Sequence, residues 1–232
     1  MILPLWDENP FEKPKLPWVS WSLIGINIAL YAYSGGLSDA ANEAFLRQFG
    51  LVPTVFLHDF SSHNLLPALN LLSAMFLHMG GMHIAGNMLF LWIFADDIEE
   101  ALGRVRFIAF YLLSGILSGL VYIAASANSS LPEVGASGAI AGVLAAYLMC
   151  RPCKKILTLI GWWAVRIDAY WMIGVWVLLQ VFGAIQPDED SVAYAAHFGG
   201  LLAGATLFLL MRPYDLELFQ CFQPSNTTNS TS

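Results

Sequence analysis

The sequence predicts an all-α polytopic membrane protein, a bundle of six transmembrane helices, from its composition and from the length of its apolar segments. Of the 232 residues, 57% are hydrophobic and only 12% are charged, which is about half the charged fraction of soluble domains. A span takes about 20 apolar residues, so a chain of this length accommodates about six spans and their loops. No basic stretch interleaved with aromatic residues indicates nucleic-acid binding, and the expected surroundings are a lipid bilayer.

Six apolar segments divide the chain into one membrane domain, residues 18–212, and two flanking pieces. The predicted spans are residues 18–34, 76–95, 106–127, 135–150, 169–186 and 192–211. Residues 1–17 are polar and proline-rich and form the N-terminal segment. Residues 213–232 form a tail whose Asn-, Thr- and Ser-rich end is predicted to be disordered. The loop of residues 35–75 is long, as functional loops often are, and contains amphipathic pieces suited to the membrane interface.

The distribution of Lys and Arg predicts the orientation of the spans. With six spans, Arg47 lies on one side and nine basic residues lie on the other. The nine are Lys13, Lys15, Arg104, Arg106, Arg151, Lys154, Lys155, Arg166 and Arg212. Both termini are therefore predicted to be cytoplasmic, and spans two, four and six run from outside to inside. We expect a multi-pass protein of a bacterial inner (plasma) membrane.

Four polar side chains fall at a similar depth in three of these spans. His83 and Asn87 lie in the first half of span two, Ser137 lies in the first turn of span four, and His197 lies in the second turn of span six. An ionisable side chain inside a membrane is costly and indicates function by default. Because the three spans run in the same direction, all four residues lie in the outer half of the bilayer, and convergent polar groups indicate a site.

A serine and a histidine supply the minimum groups for nucleophilic acyl transfer. Ser137 follows Gly135 at a helix N-terminus, where unpaired backbone N–H groups can stabilise an oxyanion. His83 and Asn87 are four residues apart and share a helix face, so both side chains and Gly135 are candidate oxyanion residues. No Asp or Glu lies in these outer half-spans to orient His197. The sequence therefore indicates a Ser137–His197 dyad rather than a triad.

Small residues on two spans predict helices that pack closely. They are Gly138, Ala141, Gly142 and Ala145 on span four, and Gly200 and Gly204 on span six. Small faces let membrane helices approach each other, which would bring Ser137 within hydrogen-bond distance of His197. The alternative is that these residues, the serine included, serve helix packing alone.

No motif for a metal or a cofactor is present in the sequence. His78 and His83 are five residues apart and lack the Glu of the zinc-protease motif H-E-x-x-H, so we expect neither a metal nor a cofactor. Cys150 and Cys153 have C-x-x-C spacing, but no second pair and no βαβ pattern accompany them. Two thiols at a helix end are the simplest interpretation, and a redox or zinc role is the alternative.

Four acidic residues cluster at the inner end of span two, at Asp96, Asp97, Glu99 and Glu100. One interpretation is a solvated acidic cap on the helix. The other is that Glu99, four residues before Gly103, holds the turn between spans two and three.

Together these residues resemble the rhomboid family of intramembrane serine proteases, over roughly residues 18–212. The matching motifs are H-x-x-x-N at His83 and Asn87, E-x-x-x-G at Glu99 and Gly103, G-x-S-G at Gly135–Gly138, and A-H-x-x-G-x-x-x-G at Ala196, His197, Gly200 and Gly204. The resemblance implies that Ser137 is the nucleophile, that His197 is the general base, and that His83 and Asn87 act around the oxyanion. It also implies a rhomboid-like six-helix bundle around a water-filled cavity open to the outside, with the fifth helix as a gate.

Three positions depart from the pattern of some family members. A tyrosine that stacks on the catalytic histidine, four residues after the serine, is replaced here by Ala141. The first loop carries the sequence Phe49–Pro53 in place of a Trp-Arg pair, and Ala95 replaces a glycine. No change removes a catalytic group, but the histidine must be held by packing from elsewhere.

We therefore expect an intramembrane serine endopeptidase that cleaves single-span membrane proteins near the outer face of the membrane. The first alternative is a catalytically inactive rhomboid-like protein that binds membrane clients, which the intact Ser137 and His197 disfavour. The second is a small transporter. The polar residues do not form a chain across the membrane, and the intramembrane acids usual in proton-coupled transporters are missing.

Overall fold

The computed structural model describes residues 2–7, 16–62, 64, 66–185, 194–219 and 221, and this part of the chain is mostly helical. The predicted disordered end of the tail, residues 223–232, lies outside the described residues. The elements, in chain order, are β1 (Ile2–Asp7), α1 (Trp18–Gly35), α2 (Asp39–Phe49), α3 (Pro53–Ser61), α4 (Asn70–Ser73), α5 (Gly81–Leu102), α6 (Arg104–Ala125), α7 (Ser137–Cys150), β2 (Lys155–Ile160), β3 (Trp163–Asp168), α8 (Ala169–Ala184) and α9 (Tyr194–Met211). Short 3-10 turns, Leu66–Leu69 and Ala74–Phe76, flank α4.

Six helices occupy the six predicted spans, namely α1, α5, α6, α7, α8 and α9. Among the described residues, α6 and α9 are long and apolar enough to cross a membrane on their own. A third crossing results if Leu66–Phe76 and α5, which meet at 81°, form one broken span. The helices α7 and α8 are apolar but shorter, with 14 and 16 residues. The chain is an integral membrane protein by these criteria, and the count of six spans stays a prediction.

A carboxylate from another helix holds the start of α1. Pro17 at the N-cap position has no side-chain acceptor for the free N–H groups of the first turn. Glu99 of α5 supplies the missing acceptor. Its Oε1 accepts the N–H of Val19 at 3.1 Å, and its Oε2 accepts the N–H and the hydroxyl of Ser20 at 2.8 and 2.7 Å. Glu99 is buried. Its carboxylate therefore fastens α5 to α1. Glu99 also contacts the turn that follows α5, because its carbonyl accepts the N–H of Gly103 at 2.8 Å and its Oε1 lies 3.9 Å from Nε of Arg104.

The expectation of an all-α chain is wrong for two segments taken as polar or loop regions. The strands β1, β2 and β3 form an antiparallel sheet in that order. β2 and β3 are rich in β-branched and aromatic residues, which favour strands, and Gly161, with a φ of 62°, allows the tight turn between them. Lys154 precedes β2 and forms a buried ion pair with Asp97 of α5, at 2.5 Å. The pair attaches the sheet to the helices and excludes a solvated acidic cap at Asp97.

The two cysteines of the C-x-x-C spacing differ in state, so the interpretation as two thiols at a helix end is wrong. Cys153 forms a disulfide with Cys221, 68 residues further along the chain, whereas Cys150 is buried and free. The bond ties the C-terminal segment to the connection between α7 and β2. Both bonded cysteines lie on the side that the basic residues assign to the cytoplasm, where thiols are usually kept reduced. The orientation of the chain therefore stays a prediction.

The long first loop folds onto the segment that leads to Ser137. The hydroxyl of Ser38 caps α2 by accepting the N–H of Ala41. On the apolar face of α2, Leu46 packs with Leu77 and Val134 in a small buried cluster. The predicted amphipathic character of this loop is confirmed at α2, whose apolar face packs against other parts of the protein.

Candidate active site

The serine is the first residue of a helix that is buried along most of its length. α7 begins at Ser137, and the residues that follow as far as Tyr147 are all buried. Gly135, two residues earlier, has a φ of 133°, a conformation that L side chains rarely adopt. The chain can therefore turn sharply into the helix, and the free N–H groups of its first turn lie next to the serine hydroxyl.

Backbone hydrogen bonds hold this turn in place. Leu51 and Glu133 exchange two N–H···O bonds of 2.9 Å, and the N–H of Gly135 donates to the carbonyl of Ala74 at 2.9 Å. The first loop thus supports the segment directly before Ser137. Because the N–H of Gly135 is bonded to Ala74, it is not free to donate to an oxyanion, the role for which Gly135 was a candidate.

Gly135 instead leaves room for the two other candidate oxyanion residues. A methyl group on its Cα would lie 2.7 Å from Nε2 of His83 and 3.6 Å from Nδ2 of Asn87. Asn87 donates from Nδ2 to Nε2 of His78 at 2.8 Å, and the rings of His78 and His83 lie 4.9 Å apart. The structure therefore gathers the predicted residues beside the turn that leads to Ser137, and His78 orients the amide of Asn87.

The predicted close packing of α7 and α9 is confirmed. A methyl group on Gly200 would lie 2.0 Å from the carbonyl oxygen of Gly138, and one on Gly204 would lie 2.2 Å from the Cα of Gly142. The two backbones are thus in direct contact, as small residues permit in membrane helices. This contact sets the distance between the first turns of the two helices.

The serine and the histidine meet at those first turns. Nε2 of His197 lies 2.8 Å from Oγ of Ser137, within normal hydrogen-bond range. His197 is buried, so bulk water does not compete strongly for its ring nitrogens. In this arrangement Nε2 is able to accept the hydroxyl proton, which is the geometric requirement for a general base.

Sequence reasoning missed three residues around this pair. Ser118 of α6 donates its hydroxyl to the carbonyl of Ala196 at 2.6 Å and so fixes the residue before His197. Gln180 and Trp176 of α8 both contact the imidazole ring of His197. A polar glutamine in a strongly apolar segment was a signal that the sequence carried, but its partner depends on how α8 packs.

Replacing Asn87 by alanine is expected to lower turnover by about 10- to 1,000-fold, the range for a lost oxyanion donor. Steady-state cleavage and thermal unfolding measure the two possible effects separately. Asn27→Ala is the matched control, because Asn27 is a buried amide on α1 that lies outside the site. If Asn87→Ala loses stability but keeps full turnover, Asn87 has a structural role only.

Glu133 is expected to make the stability depend on pH. Burial raises the pKa of its carboxyl from about 4.5 to about 7. A raised folded-state pKa means that the unfolded chain loses this proton first, so stability is complete below pH 4.5 and falls as the pH rises to 7. Glu133→Gln should therefore match the wild-type melting temperature at pH 4.5 and exceed it at pH 8. Glu43→Gln, at an exposed carboxylate, should show no such trend, and an equal trend in both variants would contradict the assignment.

The described residues contain no group of three or more His, Cys, Asp or Glu side chains placed to hold a metal ion.

These features define an integral membrane protein with a serine–histidine pair at the junction of two closely packed helices. A family model of the Rhomboid domain matches residues 67–214. That match includes every residue of the site. The chain belongs to the rhomboid family.

Curated relatives extend this similarity to plants, animals and bacteria. The chain is 32% identical to RHOMBOID-like protein 5 of Arabidopsis thaliana over 62% of its own length and 44% of the relative. It is 42% identical to the mitochondrial presenilin-associated rhomboid-like protein of Mus musculus over 37% of its own length and 22% of the relative. It is 34% identical to the rhomboid protease GluP of Bacillus subtilis over 58% of its own length and 24% of the relative. The chain spans less than half the length of these relatives, and their range of sources does not favour a bacterial inner membrane.

Proposed function

We propose that this protein is an intramembrane serine endopeptidase that uses a Ser137–His197 dyad. The observation that carries the proposal is the 2.8 Å separation of Ser137 Oγ and His197 Nε2 in a membrane-embedded fold. Membership of the rhomboid family supports it, since one matched relative is named as a protease.

In the proposed reaction, Nε2 of His197 removes the hydroxyl proton of Ser137 while Oγ attacks a substrate carbonyl carbon. The negative charge that develops on the carbonyl oxygen is stabilised by the backbone N–H of Ser137 and by the side chains of Asn87 and His83. Collapse of this intermediate breaks the C–N bond, and His197 returns the proton to the leaving amine. A water molecule, deprotonated by His197, then hydrolyses the acyl-serine ester and restores the hydroxyl group.

The proposed substrates are single-span membrane proteins. A transmembrane helix satisfies its own backbone groups and hides its carbonyls, so a peptide bond must unwind before it reaches Ser137. The site lies at the ends of α7 and α9 that the charge distribution assigns to the outside. We accordingly propose that both termini are cytoplasmic and that cleavage takes place near the outer face.

The test is incubation of the purified full chain with a panel of tagged single-span substrates in liposomes. Wild-type protein is expected to produce a discrete fragment and Ser137→Ala none. Ser22→Ala, at an exposed serine of α1, is the matched control and should cleave like the wild type. Binding of the substrates without cleavage by the wild type would instead support the inactive client-binding protein.

The position of the cut is expected to lie in the outer part of the substrate span, next to small residues. Gly or Pro near that position weakens the substrate helix and lets the backbone approach Ser137. Mass spectrometry of both fragments locates the bond. A cut in the cytoplasmic half would contradict both the orientation and the placement of the site.

A further inference from the structure

The imidazole of His197 is held at both of its nitrogens. While Nε2 faces Oγ of Ser137, Nδ1 lies 2.7 Å from Oε1 of Gln180. A neutral imidazole carries one proton, and the hydrogen bond made by one nitrogen decides which nitrogen carries it. An amide oxygen only accepts hydrogen bonds, so this contact favours the tautomer with the proton on Nδ1. Nε2 is then left with a lone pair for the serine hydroxyl.

A second side chain of the same helix packs against the ring. The ring centroid of Trp176 lies 5.6 Å from that of His197, with 44° between the planes. Trp176 and Gln180 are four residues apart on α8, so they share one helix face. Trp176 also contacts Phe90 of α5, with centroids 6.3 Å apart, which fixes the indole from behind. The aromatic side chain that packs on the histidine therefore comes from α8, because Ala141 on α7, the position of the stacking tyrosine in some family members, has no ring.

An uncharged partner suits this location. The site lies in a segment predicted to be within the membrane, where an additional carboxylate is expensive. The amide of Gln180 fulfils the orienting task of the third member of a catalytic triad without adding a charge. The geometry supplies both requirements of a general base, namely a fixed tautomer and a fixed ring plane.

We propose that Gln180 is a positioning residue that selects the Nδ1–H tautomer of His197, and that Trp176 holds the plane of the ring. The proposal rests on the proposed function of the Ser137–His197 dyad. It assigns the support of the catalytic histidine to α8, a helix separate from those that carry the dyad. Gln180 acts through His197 and does not contact the reacting atoms.

Turnover of Gln180 variants is the first test. Gln180→Leu keeps the volume and removes the acceptor, so kcat should fall about 10- to 100-fold, the range for a lost hydrogen-bond partner of a metal-bound histidine, while KM is unchanged. Gln180→Glu keeps an acceptor oxygen at the same reach and should retain most of the activity per folded molecule, while the added carboxylate lowers the melting temperature. Gln180→Asn is one methylene too short and should behave like Gln180→Leu, which covers the case in which the leucine variant does not fold. Leu179→Ala, at an exposed neighbouring position, is the control and should resemble the wild type.

The tautomer itself is the second test, and it does not depend on activity. In ¹⁵N-histidine-labelled protein, the signal of His197 is identified by its loss in His197→Ala. The wild type and Gln180→Glu should show Nδ1–H with an unprotonated Nε2, and Gln180→Leu should show a mixture of tautomers. An Nε2–H ring in the wild type, an unchanged ring in Gln180→Leu, or unchanged kcat in that variant would overturn the proposal. A wild type that has the expected tautomer but cleaves no substrate would contradict the proposed function and leave the positioning role intact.

Discussion

Replacing Ser137 or His197 by alanine is expected to abolish cleavage, and the double variant should be no worse than either single variant. The reason is the direct contact between Nε2 and Oγ at 2.8 Å, which makes the two side chains one chemical unit. Residues that act as a unit lose activity together, so their effects do not add. Steady-state cleavage of one tagged substrate by the three variants provides the comparison.

The controls for this prediction separate chemistry from folding. Ser137→Ala should keep the wild-type melting temperature within a few degrees, since it loses only one hydrogen bond, worth about 1 kcal/mol. His197→Ala also loses the contacts with Gln180 and Trp176 and should melt at a lower temperature, so its cleavage is compared per folded molecule. Ser22→Ala reports the effect of removing an unrelated hydroxyl. Substantial cleavage by either single variant would rule out the dyad.

Replacing Gly204 by valine is expected to separate α7 from α9 and to inactivate the protein. A Cβ at this position meets the backbone of Gly142 at 2.2 Å, and a helix backbone cannot move aside as a flexible side chain can. Overpacking of this kind costs about 3 kcal/mol or more. A displacement of 1 Å at a catalytic pair costs about 100-fold in rate, so the activity of any folded fraction should also fall. Thermal unfolding in detergent and cleavage per folded molecule measure the two effects.

The matched control for this prediction is the same substitution where space is available. A Cβ at Gly25 in α1 meets no heavy atom within 4 Å, so Gly25→Val should leave both stability and cleavage close to the wild-type values. If Gly204→Val is as stable and active as Gly25→Val, the contact between α7 and α9 does not set the geometry of the site.

The parts of the structure that depend on local pattern were predictable from the sequence. Apolar segments of span length give the positions of α1, α5, α6, α7, α8 and α9. The small residues of α7 and α9 predict backbone contact because they have no side chains to keep the helices apart. That contact brings Ser137 and His197 together. The catalytic roles of these two residues stay predictions.

The remaining features depend on partners that are distant in the chain. β1 pairs with β2 across about 150 residues, and Cys153 bonds to Cys221, so no local spacing reveals either. Glu99 is four residues from a glycine in the sequence, yet its carboxylate binds the start of α1. Gln180 stands out as a polar residue in an apolar helix, but only the packing of α8 identifies His197 as its partner.

The most direct measurement of the central claim is covalent labelling of the serine by a fluorophosphonate. Such a reagent forms a phosphorus–oxygen ester only with an activated serine hydroxyl, with release of fluoride. Mass spectrometry of the wild type in liposomes should find one adduct, on the peptide that contains Ser137, and His197→Ala should lose it. An unlabelled wild type, an adduct on another serine, or equal labelling without His197 would contradict the account.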